Sequence, residues 1–122
     1  ETDIVNLLPD TPATHDLYNA ALFARFNPDA LFINAGRGAA VVDGDLVDAL
    51  AKGQLAGAVI DVCRQEPLPR NHPFWTALGL LLTGHSSAPT SPVAMVRLFV
   101  ENLGAYGAGE SLRGEVDFTR GY

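Results

Sequence analysis

Two short runs of nearly uninterrupted apolar residues constrain the fold of this chain more than any other feature. They read ALFINA at positions 30–35 and GAVID at positions 57–61. A strand with one face in water alternates apolar and polar residues, whereas a strand buried on both faces of a parallel sheet does not. These runs therefore predict two central strands of a parallel sheet.

Two further apolar stretches, at residues 3–8 and 80–83, predict outer strands of the same sheet. Neighbouring parallel strands need a crossover of about a dozen residues or more, and each connecting segment is long enough. The alternation of strands with such connections predicts an α/β fold with right-handed crossovers.

The connecting segments carry the helix signals of this fold. Residues 15–26 and 43–52 place apolar side chains at helical spacing, and the proline-rich third connection has room only for a short helix at 74–78. Asp43 is the expected N-cap of the second helix, and Gly53 is its expected end.

The longest predicted helix begins at Ser91-Pro92, with serine as the cap and proline at the first helical position. We expect the glycines at 104, 107 and 109 to end it, and a polar, irregular tail follows. The apolar stripe of this helix consists of Val96, Phe99, Val100 and Leu103.

Composition excludes several classes of partner. The formal net charge is −6, and the 8 Lys and Arg residues form no basic cluster, which argues against nucleic acid and anionic membranes.

Cys63 is the only cysteine, so no disulfide can form within the chain and a reducing compartment is favoured. No apolar run approaches the roughly 20 residues of a membrane span, and no signal peptide is evident. We therefore expect a cytoplasmic protein.

Three polar side chains follow three successive predicted strands. Arg37 comes after ALFINA, Glu66 after GAVID and His85 after LLLT. Ligands of open parallel sheets bind beyond the carboxyl ends of the strands, so these side chains are predicted at one edge. Arginine binds a planar carboxylate through two hydrogen bonds, and histidine gives and takes protons near neutral pH. Taken alone, Arg37 and Glu66 are more often solvated surface charges and His85 is more often a turn residue, and only their joint placement favours a site.

Two other chemistries are less well supported. A zinc site built from Cys63, His72 and His85 lacks the paired ligand spacing of such sites, so we predict no metal. The Gly36-Arg37-Gly38 segment resembles a phosphate-binding loop, but the residues AAVV separate it from the expected helix start at Asp43. We interpret the two glycines as giving the arginine room on a tight loop.

Three motifs in this order, NAGRG, DVCRQEPLP and TGHSSAP, resemble the signature of the D-isomer-specific 2-hydroxyacid dehydrogenases. The segments LLPDTPAT and GEVDFTRGY are similar to those of the glyoxylate/hydroxypyruvate reductase A branch of that family, so the resemblance covers essentially the whole chain. It implies that residues 1–88 form the later half of a Rossmann-like NAD(P)-binding domain. Residues 89–122 would then be the helix and tail that return to the substrate domain.

The resemblance also implies roles for the residues at the strand ends. The matching arginine of that family, Arg37 here, binds the carboxylate and carbonyl of a small 2-oxo acid. The matching histidine, His85, protonates the substrate oxygen as a hydride arrives from the nicotinamide, and Glu66 pairs with that histidine. The implied reaction reduces glyoxylate to glycolate, or hydroxypyruvate to glycerate.

The cofactor contacts implied by the resemblance lie close to these residues in the sequence. Asp61 matches the aspartate near the nicotinamide carboxamide, while Leu8, Pro9 and Ala35 match residues that line the cofactor pocket, partly through backbone groups. The implied cofactor is NADP or NAD. The sequence does not distinguish between them, because the residue that selects one of them is not in this segment.

Two departures from the family pattern bear on what the chain does alone. Ser86 and Ser87 follow the histidine where the family has small apolar residues, and the family's glycine-rich dinucleotide loop precedes the matched region. We therefore expect this chain to be a C-terminal fragment that is inactive alone. The resemblance implies that the parent protein is a homodimer. Two alternatives stay open: a dinucleotide-sensing corepressor, as some members of the family are, or a fragment that serves only in assembly. Turnover of glyoxylate distinguishes the enzyme from the corepressor, and an exposed apolar edge of the sheet would favour the role in assembly.

Overall fold

The computed structural model describes residues 3–122 and divides the chain into two units, with the boundary between Ser87 and Ala88. The first unit carries the sheet, and the second carries one long helix followed by a tail of turns. Among residues 3–122 no helix combines the length and the apolar character that crossing a membrane requires.

The sheet has four parallel strands, which confirms the α/β fold expected from the apolar runs. The order of the strands in space is their order in the sequence, and hydrogen bonds join each neighbouring pair. The strands are β1 (Ile4–Asn6), β2 (Leu31–Asn34), β3 (Gly57–Ile60) and β4 (Leu80–Leu82). Because all four run in the same direction, their carboxyl ends meet at one edge of the sheet.

The first predicted helix is wrong in extent, because α1 comprises only Ala20–Phe23 and not residues 15–26. The residues before α1 use their backbone groups elsewhere. The N–H of Tyr18 donates to Ala40 O, and the N–H of Val42 donates to Tyr18 O. These bonds attach an extended segment to a part of the chain that is distant in sequence, and so the helix cannot begin earlier.

The second helix, α2, begins at Asp43 and ends at Ala51. The prediction that Asp43 is the N-cap is wrong: Val42 takes that position, and the Asp43 carboxylate faces the imidazole of His72, 3.2 Å away. Gly53 follows the last turn with a φ of +66°, the left-handed conformation that commonly ends helices.

Two short 3-10 turns complete the first unit. One spans Gly38–Ala40. The other, Pro73–Trp75, replaces the helix predicted at 74–78. The N–H groups of Thr76 and Ala77 both donate to Pro73 O, which closes the turn before a longer helix can form.

The core of the first unit is built on the centre of the sheet. Phe32 in β2 is fully buried, and the rings of Tyr18 and Phe23 lie against it with centroid distances of 4.8 and 5.5 Å. Other fully buried side chains are Leu46, Ile60 and Val41. The aromatic contacts therefore fasten the segment before α1 to the sheet.

The second unit consists of α3 (Pro92–Ala108) and its tail. Ser91 caps this helix by accepting a hydrogen bond from a backbone N–H of the first turn, as predicted. Gly104 and Gly107 lie inside the helix, so the prediction that they end it is wrong, and Gly109 closes it at a φ of +70°. An interior glycine costs about 1 kcal/mol relative to alanine, which is too little to stop a helix by itself.

Candidate active site

An acid–imidazole pair lies at the carboxyl edge of the sheet, beyond β3 and β4. Oε2 of Glu66 is 2.8 Å from Nδ1 of His85, and Oε1 of Glu66 accepts a hydrogen bond of 2.8 Å from the N–H of Cys63. Both carboxylate oxygens are therefore held, one by the loop after β3 and the other by the imidazole. The sequence predicts these two residues at one edge, and the structure brings them into direct contact.

The hydrogen bond between the two side chains has a defined direction. The contact with His85, followed by the N–H of Cys63, lowers the pKa of Glu66 below its ordinary value. An ionised carboxylate only accepts hydrogen bonds, so Nδ1 of His85 carries the hydrogen that Glu66 receives. Within residues 3–122, Nε2 of His85 makes no hydrogen bond, and this atom is the one left to face a ligand.

His85 has an unusual backbone conformation. Its φ is +54°, in the left-handed region that few non-glycine residues adopt, and its side chain is half-exposed. Such conformations concentrate at functional sites, because the surrounding structure must hold them in place. The restraint here comes from Asp61, which binds the two residues after the histidine.

Asp61 is 5% exposed and is surrounded by hydrogen-bond donors. Its carboxylate accepts hydrogen bonds from the hydroxyls of Ser87 and Thr83 and from the N–H groups of Ser86 and Ser87. These bonds, led by that from the Ser87 hydroxyl, lower its pKa far below the ordinary value, so the buried group stays ionised. The two serines that depart from the expected pattern therefore tie the His85 loop to the end of β3.

Asp61, Glu66 and His85 line one hollow with a volume of about 530 Å³. Its other walls consist of Cys63, Pro67, Leu68, Trp75, Thr83 and Gly84. Volumes of about 300–1,000 Å³, with mainly apolar walls and a few polar groups, are typical of small-molecule sites. The hollow therefore has the size and the chemistry of a site for a small polar substrate.

Arg37 stands apart from this hollow. The residue lies on the loop after β2 and is exposed, and its Nη1 donates a hydrogen bond of 2.7 Å to Gly36 O. It is not one of the residues that line the hollow. The structure thus brings two of the three predicted catalytic residues into contact and leaves the arginine on a separate loop of the same sheet edge.

The glycines beside Arg37 allow neighbouring loops to pack closely. A Cβ on Gly36 would lie 2.9 Å from the backbone N and O of Leu8, and a Cβ on Gly38 would lie 2.0 Å from the carbonyl carbon of Cys63. Their role is therefore to let the loops after β1, β2 and β3 touch, rather than to give the arginine room. Because protein backbone fills their open sides, neither glycine presents a cradle to a phosphate group.

The predicted cofactor residues lie at the carboxyl ends of three strands. Leu8 and Pro9 follow β1, Ala35 follows β2, and Leu8 is 37% exposed. Asp61 follows β3, and its four hydrogen bonds occupy the acceptor positions of a carboxylate. A contact between Asp61 and the amide of a ligand would have to replace one of these bonds.

Sequence reasoning missed two buried asparagines at this edge. Asn6 and Asn34 are 0% and 1% exposed and stand at the ends of β1 and β2. Nδ2 of Asn6 donates to Oδ1 of Asn34 over 2.8 Å, and Nδ2 of Asn34 donates to Arg37 O over 3.3 Å. The available signal is a polar residue that closes an otherwise apolar strand, as in IVN and LFIN.

Arg64 is a further residue that sequence reasoning missed. Its guanidinium contacts the Asp16 carboxylate and donates to Ala39 O over 3.0 Å and to Val41 O. The loop after β3 is thereby attached to the segment before α2. No local pattern marks this arginine, because its partners are distant in the sequence.

The other histidines pair with carboxylates elsewhere in the first unit. Nε2 of His15 is 2.6 Å from Asp10 Oδ1, and Nε2 of His72 is 3.2 Å from Asp43 Oδ2. In the described part of the chain, no three His, Cys, Asp or Glu side chains are grouped closely enough to hold a metal ion.

A family profile described as D-isomer specific 2-hydroxyacid dehydrogenase, NAD binding domain, matches residues 1–87. Among curated relatives, the glyoxylate/hydroxypyruvate reductases A of Serratia proteamaculans and Photorhabdus laumondii are 44% and 42% identical over 119 residues. Each match covers 98% of this chain but only 38% of the relative. The chain therefore spans well under half of the length of these relatives.

Two solved structures are similar to nearly the whole chain. An NADPH-dependent glyoxylate/hydroxypyruvate reductase from Sinorhizobium meliloti, in complex with NADP and sulfate, matches with a TM-score of 0.90 at 36% identity. A D-isomer specific 2-hydroxyacid dehydrogenase from Xanthobacter autotrophicus Py2, in complex with NADPH and MES, matches with a TM-score of 0.91 at 39% identity. The matches cover 97% of this chain, and 39% and 49% of those two chains.

Proposed function

The chain belongs to the D-isomer-specific 2-hydroxyacid dehydrogenase family, and from this premise we propose that it carries the catalytic residues of an NAD(P)H-dependent 2-oxo acid reductase. The proposed substrates are glyoxylate and hydroxypyruvate, which appear in the names of its curated relatives. The observation that supports the proposal most directly is the contact of 2.8 Å between Glu66 and His85 at the carboxyl edge of a parallel sheet.

His85 is the proposed general acid of this reaction. Its Nε2 would give a proton to the carbonyl oxygen of the 2-oxo acid while a hydride adds to the carbonyl carbon. Glu66 holds the hydrogen on Nδ1 and fixes the orientation of the ring, so the proton is exchanged at Nε2 alone. The hollow of about 530 Å³ beside this pair has room for an acid as small as glyoxylate.

Arg37 is the proposed partner of the substrate carboxylate. A guanidinium offers two parallel N–H groups to a planar carboxylate, which fixes both the position and the orientation of the acid. Within the described residues no arginine or lysine lines the hollow itself, and the guanidinium of Arg64 is occupied by Asp16 and two carbonyls. The exposed guanidinium on the neighbouring loop is therefore the group proposed to bind the anion.

The proposed hydride donor is NADPH or NADH, whose reduced nicotinamide supplies the hydride when bound. The partly exposed apolar surface of Leu8 and Pro9, with Ala35 on the next loop, fits the nicotinamide end of such a cofactor. Asp61 is proposed to contact the carboxamide by exchanging one of its present hydrogen bonds. The complexes of the two solved relatives with NADP and NADPH support this assignment.

The complete site is proposed to need sequence beyond these 122 residues. The chain covers 38% of its curated relatives, so most of each relative has no counterpart here. We propose that the chain is the C-terminal part of a cytoplasmic, homodimeric enzyme and is inactive alone.

A chimera provides the test. This chain replaces the matching part of the Serratia proteamaculans reductase, and NADPH oxidation is followed with glyoxylate and with hydroxypyruvate. We expect turnover by the chimera, none by the isolated chain, and a fall in kcat of roughly 10²–10⁴-fold for His85→Ala. His15→Ala is the matched control, because that histidine pairs with an exposed aspartate, and it should leave kcat unchanged.

Two results would contradict the proposal. One is a folded chimera that oxidises NADPH with neither acid. The other is an active chimera in which His85→Ala retains the rate of the parent.

A further inference from the structure

The buried asparagine pair joins the carboxyl ends of two strands. Asn6 and Asn34 are partners in the register of β1 and β2, and Nδ2 of Asn6 lies 2.8 Å from Oδ1 of Asn34. A buried amide is costly unless its donors and acceptors are satisfied. Within residues 3–122 no buried side-chain nitrogen or oxygen lacks a partner, so the pair is a complete polar network.

The two amides hold different loops. Oδ1 of Asn6 accepts a hydrogen bond of 3.1 Å from the N–H of Leu8, which holds the loop after β1. Asn34 holds the loop after β2 at two points, because its Oδ1 accepts from Gly36 N–H and its Nδ2 donates to Arg37 O, each over 3.3 Å. Of the two asparagines, only Asn34 binds the backbone of the arginine, whose carbonyl also accepts from Ala40 N–H over 3.3 Å.

We infer that Asn34 is a positioning residue for Arg37, an inference that rests on the proposed role of that guanidinium in binding the substrate carboxylate. The backbone of Arg37 is extended, with φ −138° and ψ 144°, and Asn34 binds the N–H of the preceding residue, Gly36, and the carbonyl of Arg37 itself. The guanidinium also donates to Gly36 O over 2.7 Å. One buried amide thus sets the direction in which the side chain leaves the loop.

The geometry requires an amide at this position. One planar group must accept a hydrogen bond from Gly36 N–H and donate another to Arg37 O, which an asparagine does and an ionised aspartate or an alanine cannot. The loop has little freedom to compensate, because even a Cβ on Gly36 would lie 2.9 Å from the backbone of Leu8. Small displacements of a substrate-binding group are costly, since about 1 Å of misplacement can lower a rate by about 10²-fold.

Two matched variants separate positioning from stability. Asn34→Ala and Asn6→Ala each remove one amide from the same buried pair, but only the first removes a hydrogen bond from the backbone of Arg37, whose carbonyl then keeps only the bond from Ala40 N–H. In the isolated chain, ¹⁵N relaxation of the amides at 36–38 measures the order of the loop, and thermal unfolding measures stability. Titration of the same two variants of the chimera with glyoxylate measures the affinity.

We expect similar falls in Tm for the two variants and increased loop motion only in Asn34→Ala. The affinity for glyoxylate should fall by about tenfold or more in Asn34→Ala and by less than about threefold in Asn6→Ala. Equal loop motion and equal affinity in the two variants would overturn the inference. A wild-type chimera that fails to bind glyoxylate would count against the proposed role of Arg37, while loop motion confined to Asn34→Ala would still support positioning.

Asn34→Asp keeps the inference testable if the alanine variant does not fold. It preserves the side-chain volume and the acceptor for Gly36 N–H, and in its ionised form it replaces the donor to Arg37 O by a charged acceptor. Increased motion at residues 36–38 would support the inference. A loop as ordered as in the wild type would overturn it.

Discussion

The two units of the chain use apolar residues in opposite ways. In the first unit Phe32 is fully buried, whereas α3 of the second unit buries no residue and exposes Val96 and Phe99 by 62% and 67%. Both units have a regular apolar pattern in their sequences. The difference teaches that periodicity predicts which face of an element is apolar, while tertiary structure decides whether that face is covered.

The polar side chains of the two units differ in the same way. The first unit buries Asp61 and two asparagines in complete hydrogen-bond networks. In the second unit, Asn102 binds the backbone of Arg113, and Glu101 pairs with the same arginine; Glu101 and Arg113 are exposed and Asn102 is partly exposed. Exposed pairs contribute little to stability. The same type of substitution should therefore have a large effect in the first unit and a small one in the second.

The largest difference is expected for aromatic truncation. Phe32→Ala removes the ring at the centre of the core and should lower the free energy of unfolding by about 3–5 kcal/mol. Phe99→Ala removes an exposed ring from α3 and should change it by less than about 0.5 kcal/mol. Urea unfolding of the two variants measures both values. Equal losses would show that the exposed face of α3 is packed in solution, and the contrast between the units would then disappear.

A smaller difference is expected for glycine substitutions. Gly38→Ala places a Cβ 2.0 Å from backbone of the neighbouring loop, so that loop must move and stability should fall by about 2–3 kcal/mol. Gly104→Ala meets no atom within 4 Å and should stabilise α3 by about 0.5–1 kcal/mol through helix propensity. Thermal unfolding and helix content by circular dichroism test the pair. A Gly38→Ala variant as stable as the wild type would refute the close contact of the loops.

The smallest difference concerns buried and exposed aspartates. The folded-state pKa of Asp61 lies below its unfolded value of about 3.9, so its stabilising contribution is complete above that pH and is lost as the pH falls through the folded pKa. Asp61→Asn should therefore cost about 2 kcal/mol at neutral pH, and the cost should shrink in acid.

Asp117 in the tail serves as the matched control. Hydrogen bonds from Thr119 also lower its pKa, but the side chain is about half-exposed, so Asp117→Asn should alter the pH dependence of stability far less. The free energies of unfolding of the wild type, Asp61→Asn and Asp117→Asn at neutral and at acidic pH measure the difference. A stability gap between wild type and Asp61→Asn that does not change with pH would contradict the assigned ionisation.

Much of the sheet and part of the site follow from local patterns. The continuous apolar runs predicted four strands, and the order of polar residues after them placed Glu66 and His85 at one edge. Their contact needs only that β3 and β4 be parallel neighbours, which the length of the connection already indicates. The start of α1 could not be predicted in this way, because the backbone groups of Tyr18 form hydrogen bonds with residues 40 and 42, which are distant in the sequence.

The residues that hold the site in place could not be predicted from the sequence for a related reason. Arg64 binds groups that are far away in the sequence, and the donors of Asp61 come from the loop after the next strand. Gly38 looks like any loop glycine until the backbone of Cys63 is placed against it. None of these residues belongs to a local periodic pattern or motif, so the sequence around them does not identify them.

The sequence by itself determined the strand positions, the parallel arrangement and the set of reactive side chains at the carboxyl edge. The reason is that buried strands, and the polar residues at their ends, can be recognised from the residue types of each segment. Only the tertiary structure decided which loops touch, which asparagine holds Arg37 and which apolar face stays exposed. The physical reason is that these outcomes depend on contacts between segments distant in the chain. Such contacts are set by strand register and packing rather than by any one segment.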